Sequence, residues 1–339
     1  MNETMRRASA WRMAVVLGLV VTLFFGCRRR TSPGYIAVSN EDSGDVTLID
    51  ADQAKVIATI PVGKRPRGMR ASRDGKLLFV ATSGAPKRGQ GEPDDAADGI
   101  AVVDVERREV VRRLPAGHDP EAFDLTPDGK RIYVSNEDRG EVSVVDVAEG
   151  RVLRSIKVGG EPEGVTIAPD GNLAYVAAEA SNEVYVIATD RDEVIARVPT
   201  SARPRTIAFN PDGSLALVAA ENGGAVHLLD KSRAELAAIR TGPPEARPMG
   251  VTFSPDGRRA FVTNGREGSV VVVDVPGRRV ERAIAAVGAR PWGIDITRDG
   301  KKLFVAAGPD VAVIDVDRAE VVARLDAGKG PWGVVSLNR

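Results

Sequence analysis

The chain has 339 residues, 43% of them hydrophobic, and its 47 basic side chains balance its 47 acidic ones. Zero net charge removes any whole-chain electrostatic case for nucleic acid, so none is expected as a partner. The single cysteine, Cys27, rules out an intrachain disulfide and a thiolate metal cage.

The N-terminal stretch reads apart from the rest. Arg6, Arg7 and Arg12 precede an apolar run over 13–26, which is 14 residues long. A membrane-spanning helix needs ~20. A basic segment, a short apolar run and the small Gly26 before Cys27 resemble a bacterial lipoprotein signal. Residues 1–26 are therefore expected to be a signal peptide, Cys27 the candidate lipidation site, and 27–33 a short tether. The bulky Phe24 and Phe25 and the basic Arg28, Arg29 and Arg30 depart from that pattern. An ordinary cleaved signal and an uncleaved anchor are the alternatives. The expected location is the periplasm, with a membrane anchor through the N-terminal lipid.

From residue 35 onward one short pattern recurs seven times. An apolar, alternating run ends at Asp50, Asp104, Asp146, Ala188, Asp230, Asp274 and Asp315, with spacings of 54, 42, 42, 42, 44 and 41 residues. A period near ~42 with four strand-like runs per unit marks a propeller blade. The expected fold is all-β: a seven-bladed β-propeller of four-stranded antiparallel blades over 34–339. This overrides the two-domain expectation from length alone, because each blade buries its faces against its neighbours. The recurring Asp is expected to accept backbone N–H groups in the turn that follows.

Within each unit an Asp-Gly hairpin follows the first strand, at Gly75, Gly129, Gly171, Gly213, Gly257 and Gly300. There are only six such hairpins for seven third strands. The repeat region starts with a second strand near Tyr35 and ends with a first strand from Gly333 to Leu337. The C-terminal strand should therefore complete the N-terminal blade and remove a free edge. One unit carries an insertion over 83–99, rich in Gly, Pro and charge, read as a tolerated loop, with a lid over the binding face as the sharper reading.

Three second strands carry the residues Ala37-Val-Ser-Asn40, Tyr133-Val-Ser-Asn136 and Phe261-Val-Thr-Asn264. They resemble the Tyr-Val-Thr-Asn motif of the YVTN β-propeller repeats. The stretches Gly63-Lys-Arg-Pro-Arg-Gly68, Asp119-Pro-Glu-Ala-Phe123, Gly160-Glu-Pro-Glu-Gly164 and Pro331-Trp-Gly-Val-Val335 are similar to the β-propeller proteins associated with pyrroloquinoline quinone (PQQ)-dependent catabolism. That resemblance implies an exported, non-catalytic accessory or scaffold protein linked to quinoprotein alcohol oxidation, with a periplasmic or membrane-associated protein partner. It supplies no catalytic residue.

Candidate chemistry gathers at the seven turns centred on Pro66, Pro120, Pro162, Pro204, Pro248, Pro291 and Pro331. Proline fixes φ there and starts the innermost strand. Reading the flanking residues around the ring gives Arg65 and Arg67, then Asp119 with Glu121 and Glu161 with Glu163. Arg203, Arg205, Arg247 and Arg290 follow, then Trp292 and Trp332. An acidic sector and a longer basic arc are expected. The basic arc suits a small anionic ligand such as PQQ, because guanidinium forks match carboxylates. His118, Asp119, Glu121, Glu161 and Glu163 are the candidate ligands for a hard metal. A hydrolase or lyase using the acidic sector is the remaining alternative. No cofactor is required by the sequence, and no nucleophile or zinc motif appears. His227 stands where other repeats hold Thr47, Ala101, Ser143 and Tyr185, with no clustered partner in sequence.

Overall fold

The computed structural model describes residues 34–87 and 91–337. The expected signal peptide, Cys27 and the tether lie outside them. Among the described residues no helix is long and apolar enough to cross a membrane.

The strands form seven four-stranded antiparallel sheets. Blade 1 combines Pro331–Ser336 with Tyr35–Asn40, Asp45–Asp50 and Lys55–Pro61. The innermost strands of blades 2 to 7 are Met69–Ala71, Pro120–Leu125, Pro162–Ile167, Pro204–Phe209, Pro248–Phe253 and Pro291–Ile296. Each is followed in sequence by the other three strands of its blade. The second and third strands are buried along nearly their whole length, whereas the outermost strands alternate with exposed charged residues. An exposed edge studded with Arg and Glu resists pairing with another chain.

The ring closes as the repeat count requires. Ile36 pairs with Ser336, Ala37 with Val335 and Val38 with Val334. The Leu337 N–H donates to the Tyr35 carbonyl at 2.9 Å, and the Gly333 N–H donates to Ser39 Oγ at 2.9 Å. The recurring Asp also behaves as expected. Asp50, Asp104, Asp146, Asp274 and Asp315 each accept the N–H three residues on, between 2.8 and 3.1 Å.

Innermost strands of neighbouring blades approach closely just below the proline turns. A Cβ on Gly164 would fall 2.1 Å from the Arg205 carbonyl oxygen, and one on Gly293 would fall 2.4 Å from that of Trp332. Only glycine tolerates such backbone contact. These strands enclose a central channel of ≈ 670 Å³, lined from Glu163, Arg205, Trp292 and Trp332 at one end to Arg73, Pro169, Pro211, Pro255 and Arg298 at the other. Several of its polar wall groups pair with one another or with backbone. Arg70 pairs with Asp124 at 3.0 Å, and Asp124 accepts the Ile167 N–H of the next blade at 2.9 Å. Asp295 does the same across the closure, accepting the Ser336 N–H at 2.8 Å.

Candidate functional site at the channel mouth

The residue before each of the seven prolines lies in the left-handed region. Arg65, Asp119, Glu161, Arg203, Arg247 and Arg290 have φ between 42° and 64°, and Gly330 has φ 66°. Left-handed backbone costs a non-glycine residue roughly 1–2 kcal/mol. A conformation shared by all seven turns belongs to the start of the innermost strand and not to one site. The residues after the prolines form a second ring: Arg67, Glu121, Glu163, Arg205, Met249, Trp292 and Trp332.

The expected separation into an acidic sector and a basic arc is not what the structure shows. A further set of carboxylates, one residue past the second strand, interleaves with the arginines: Glu41, Glu137, Glu179 and Glu221. Arg65 and Arg67 reach Glu41 at 3.1 and 3.2 Å, and Arg67 also contacts Glu121. Arg65 lies 4.0 Å from Asp119. Across the mouth, Arg203 pairs with Glu179 at 2.7 Å and Glu221 at 3.3 Å. Arg205 bridges Glu163 and Glu221, both at 2.8 Å, and also contacts Glu179. The mouth of blades 1 to 5 is thus an interlocked network of opposite charges.

Burial sets the acidities within it. Burial raises the Glu41 carboxyl, but Arg67, Lys87 and Arg65 together hold it below its usual value. Burial and the charge of Glu163 push Glu137 up to about 7, against partial relief from Arg67. Glu179 is raised by burial and by hydrogen-bonded Glu163, despite Arg205 and Arg203. Glu179 therefore keeps its proton at neutral pH. For Glu137 the folded state binds its proton more tightly than the unfolded chain does. The unfolding free energy should fall as pH rises from about 4.5 to about 7, by up to about 3 kcal/mol from this group. Urea denaturation across that range should show the decline, and Glu137→Gln should flatten it.

Blades 6 and 7 break the pattern. Where blades 1, 3, 4 and 5 place Glu after the second strand and blade 2 places Ser83, these two place Gly265 and Gly308. A notch of ≈ 230 Å³ opens there, lined by Glu221, Arg247, Met249, Gly265, Arg266 and Arg290. Glu221 lies 3.5 Å from Arg247 but is already shared with Arg203 and Arg205. Arg266 and Arg290 are exposed and form no ion pair among the described residues. The Arg290 guanidinium sits 4.8 Å over the Trp292 ring, and Arg205 covers that ring at 5.0 Å. Trp292 and Trp332 contact each other at 5.6 Å between centroids.

The candidate metal ligands divide. Asp119 and Glu121 converge with Glu137, whereas His118 joins Asp95 and Asp98 of the insertion. Glu163 is drawn to Arg205, and Glu161 joins neither group. The described part of the insertion is tied to the mouth: Arg65 donates to the Ala85 carbonyl, Lys87 contacts Glu41 at 3.4 Å, and the Asp119 N–H donates to Asp98 at 3.1 Å. Sequence reasoning missed Glu41, Glu137, Glu179, Glu221 and Arg266. Aligning the residues just past each second strand would have found them, since Asn40-Glu41, Asn136-Glu137, Ala178-Glu179 and Ala220-Glu221 share one register. It also left His227 without a partner, and the fold supplies one. His227 Nε2 lies 2.6 Å from Ser201 Oγ on the preceding loop.

Comparison with known proteins bears on the fold more than on the ligand. A 103-residue stretch is 28% identical to Antigen Lp49 of Leptospira interrogans serogroup Icterohaemorrhagiae serovar copenhageni (strain Fiocruz L1-130); it covers 30% of this chain and 23% of that protein. The Kuenenia stuttgartiensis hydrazine synthase structure is 25% identical, with TM-score 0.68, over 79% of this chain and 88% of that one. The dihydro-heme d1 dehydrogenase NirN structure is 17% identical, with TM-score 0.67, over 90% of this chain and 75% of that one. Solved structures of this shape have diverse roles, enzymes among them, so the shape alone does not decide for or against catalysis. A model of the YNCE-like beta-propeller family matches residues 92–171 and 167–339. The chain belongs to the YNCE-like beta-propeller family.

Proposed function

We propose that the chain is an exported accessory propeller that holds a planar, carboxylate-bearing ligand of the PQQ class at the notch on blades 6 and 7. One observation carries this reading. Arg247, Arg266 and Arg290 surround Met249 with a single carboxylate, Glu221, that is already shared. Three guanidinium forks beside an indole suit a flat polyanion. The periplasmic, lipid-anchored location and the link to quinoprotein oxidation come from the N-terminal pattern and the YVTN-type resemblance.

Arg203 and Arg205 are poor probes of this site, because they hold the ion-pair network together. Trp292 is the natural reporter, since Arg290 lies on its ring. Titrating purified protein with PQQ should quench Trp fluorescence saturably. Arg266→Glu combined with Arg290→Glu should weaken binding at least ~10-fold without moving the melting temperature. Unchanged fluorescence at high micromolar PQQ would sink the reading. A protein partner is the second reading, favoured by Val111, Val152, Leu153 and Ile195 exposed on the outer strands of blades 2 to 4. Capture from a periplasmic extract, lost when Val152 and Leu153 become Asp, tests it.

A further inference from the structure

We propose that Ser201, His227 and Glu235 on blade 5 form a nucleophilic site that accepts an acyl group from a small carboxylic ester. The site is separate from the anion notch and does not depend on it. Ser201 Oγ lies 2.6 Å from His227 Nε2, and His227 Nδ1 lies 3.4 Å from Glu235 Oε1. His227 is 5% exposed, Ser201 is half-buried on the loop entering blade 5, and Glu235 is open to solvent. A serine hydroxyl, an imidazole and a carboxylate in this order are the parts of an activated nucleophile.

The proton sits where the chemistry needs it. The backbone N–H of Ser201 donates to His227 Nε2 at 3.0 Å. Nε2 therefore carries the lone pair, and the ring proton lies on Nδ1, facing Glu235. That tautomer lets Nε2 take a proton from Ser201 Oγ, and Glu235, 3.4 Å from Nδ1 without a hydrogen bond to it, sets a negative charge beside the imidazolium. The N–H of Ala202, the residue after the serine, is exposed and makes no hydrogen bond among the described residues. It is the nearest free donor in sequence for a developing oxyanion.

The fold does not call for this pair. Three residues before the proline, where Ser201 stands, five other blades have glycine: Gly63, Gly117, Gly159, Gly288 and Gly328. At the His227 position the others hold Thr47, Ala101, Ser143, Tyr185, Val271 and Ala312. In blade 1 that slot is filled by Thr47, which donates to the Ala327 carbonyl, and in blade 3 by Ser143, which donates to Asn136 at 2.7 Å. Serine and histidine depart from the repeat together, in one blade, and they touch.

In the step proposed, Ser201 Oγ attacks the ester carbonyl carbon and its proton passes to His227 Nε2. The tetrahedral adduct collapses, the C–O bond to the alcohol breaks, and Nε2 returns the proton to the departing alkoxide. Water then attacks the acyl-serine with Nε2 again as base, releasing the acid and restoring Ser201.

A biotinylated fluorophosphonate should label the purified protein once, with peptide mapping placing the adduct on Ser201. p-Nitrophenyl acetate should be hydrolysed above the buffer rate. The repeat itself supplies variants expected to keep the fold: Ser201→Gly and His227→Thr restore residues that other blades carry. Both should lose labelling and ester turnover at least ~10-fold while melting as wild type does. Wild-type protein unlabelled at Ser201, or Ser201→Gly that still turns over the ester, would overturn the proposal. The charge-reversed notch variant should keep full labelling, which separates this site from the ligand-holding reading.

Discussion

Protein lacking residues 331–339 should show no cooperative thermal transition. The closing strand buries Val335 and Leu337 in the blade 1 core, at 8% and 2% exposure. Two such side chains contribute about 3–6 kcal/mol together. A domain's whole stability is only about 5–15 kcal/mol. Deletion also leaves Tyr35–Asn40 as an open edge and removes the Ser336 N–H from buried Asp295. Circular dichroism melts of the full and shortened chains decide the matter. An unchanged midpoint would mean that closure contributes little to the ring.

The second large effect should come from Arg205→Ala. Arg205 is 9% exposed and serves Glu163, Glu179 and Glu221 while covering Trp292. Removing this buried cation leaves Glu163 without its 2.8 Å partner and Glu179 and Glu221 with Arg203, and should cost about 3–5 kcal/mol. The penalty has a defined sign with pH. Without Arg205, Glu179 loses a lowering charge and is held further above its unfolded value, so stability is retained in acid and lost as pH rises through the raised value. Urea midpoints should therefore drop more at pH 8 than at pH 5. A midpoint at pH 8 equal to that of the wild type would show that the network does not depend on this residue.

The architecture was legible because every blade repeats the same needs. The Asp that closes six of the seven third strands, the Asp-Gly hairpins and the missing seventh hairpin each follow from one blade packing on the next. The functional surface was less legible for a physical reason. Reading only the proline turns grouped the charges into an acidic sector and a basic arc, whereas several of their partners come from a second loop of the same or an adjacent blade. Arg205 meets Glu221 from its own blade and Glu163 and Glu179 from the one before. A sign pattern along one ring cannot show neutralisation by a second. Ser201 and His227 were separated by 26 residues, and only the stacking of loop on strand brought them together.

The seven left-handed turns carry a consequence for how such a mouth diversifies. One backbone shape accepts Arg, Asp, Glu or Gly within a single chain. The strain is the same for each charged residue, so exchanging one for another leaves the frame as it was. Binding preference can therefore be rewritten blade by blade, as on a combination lock whose wheels turn independently. Arg247 and Arg290 before the prolines of blades 6 and 7 are one such setting: with Gly265 and Gly308 after the second strands in place of a carboxylate, they make this stretch of the rim cationic.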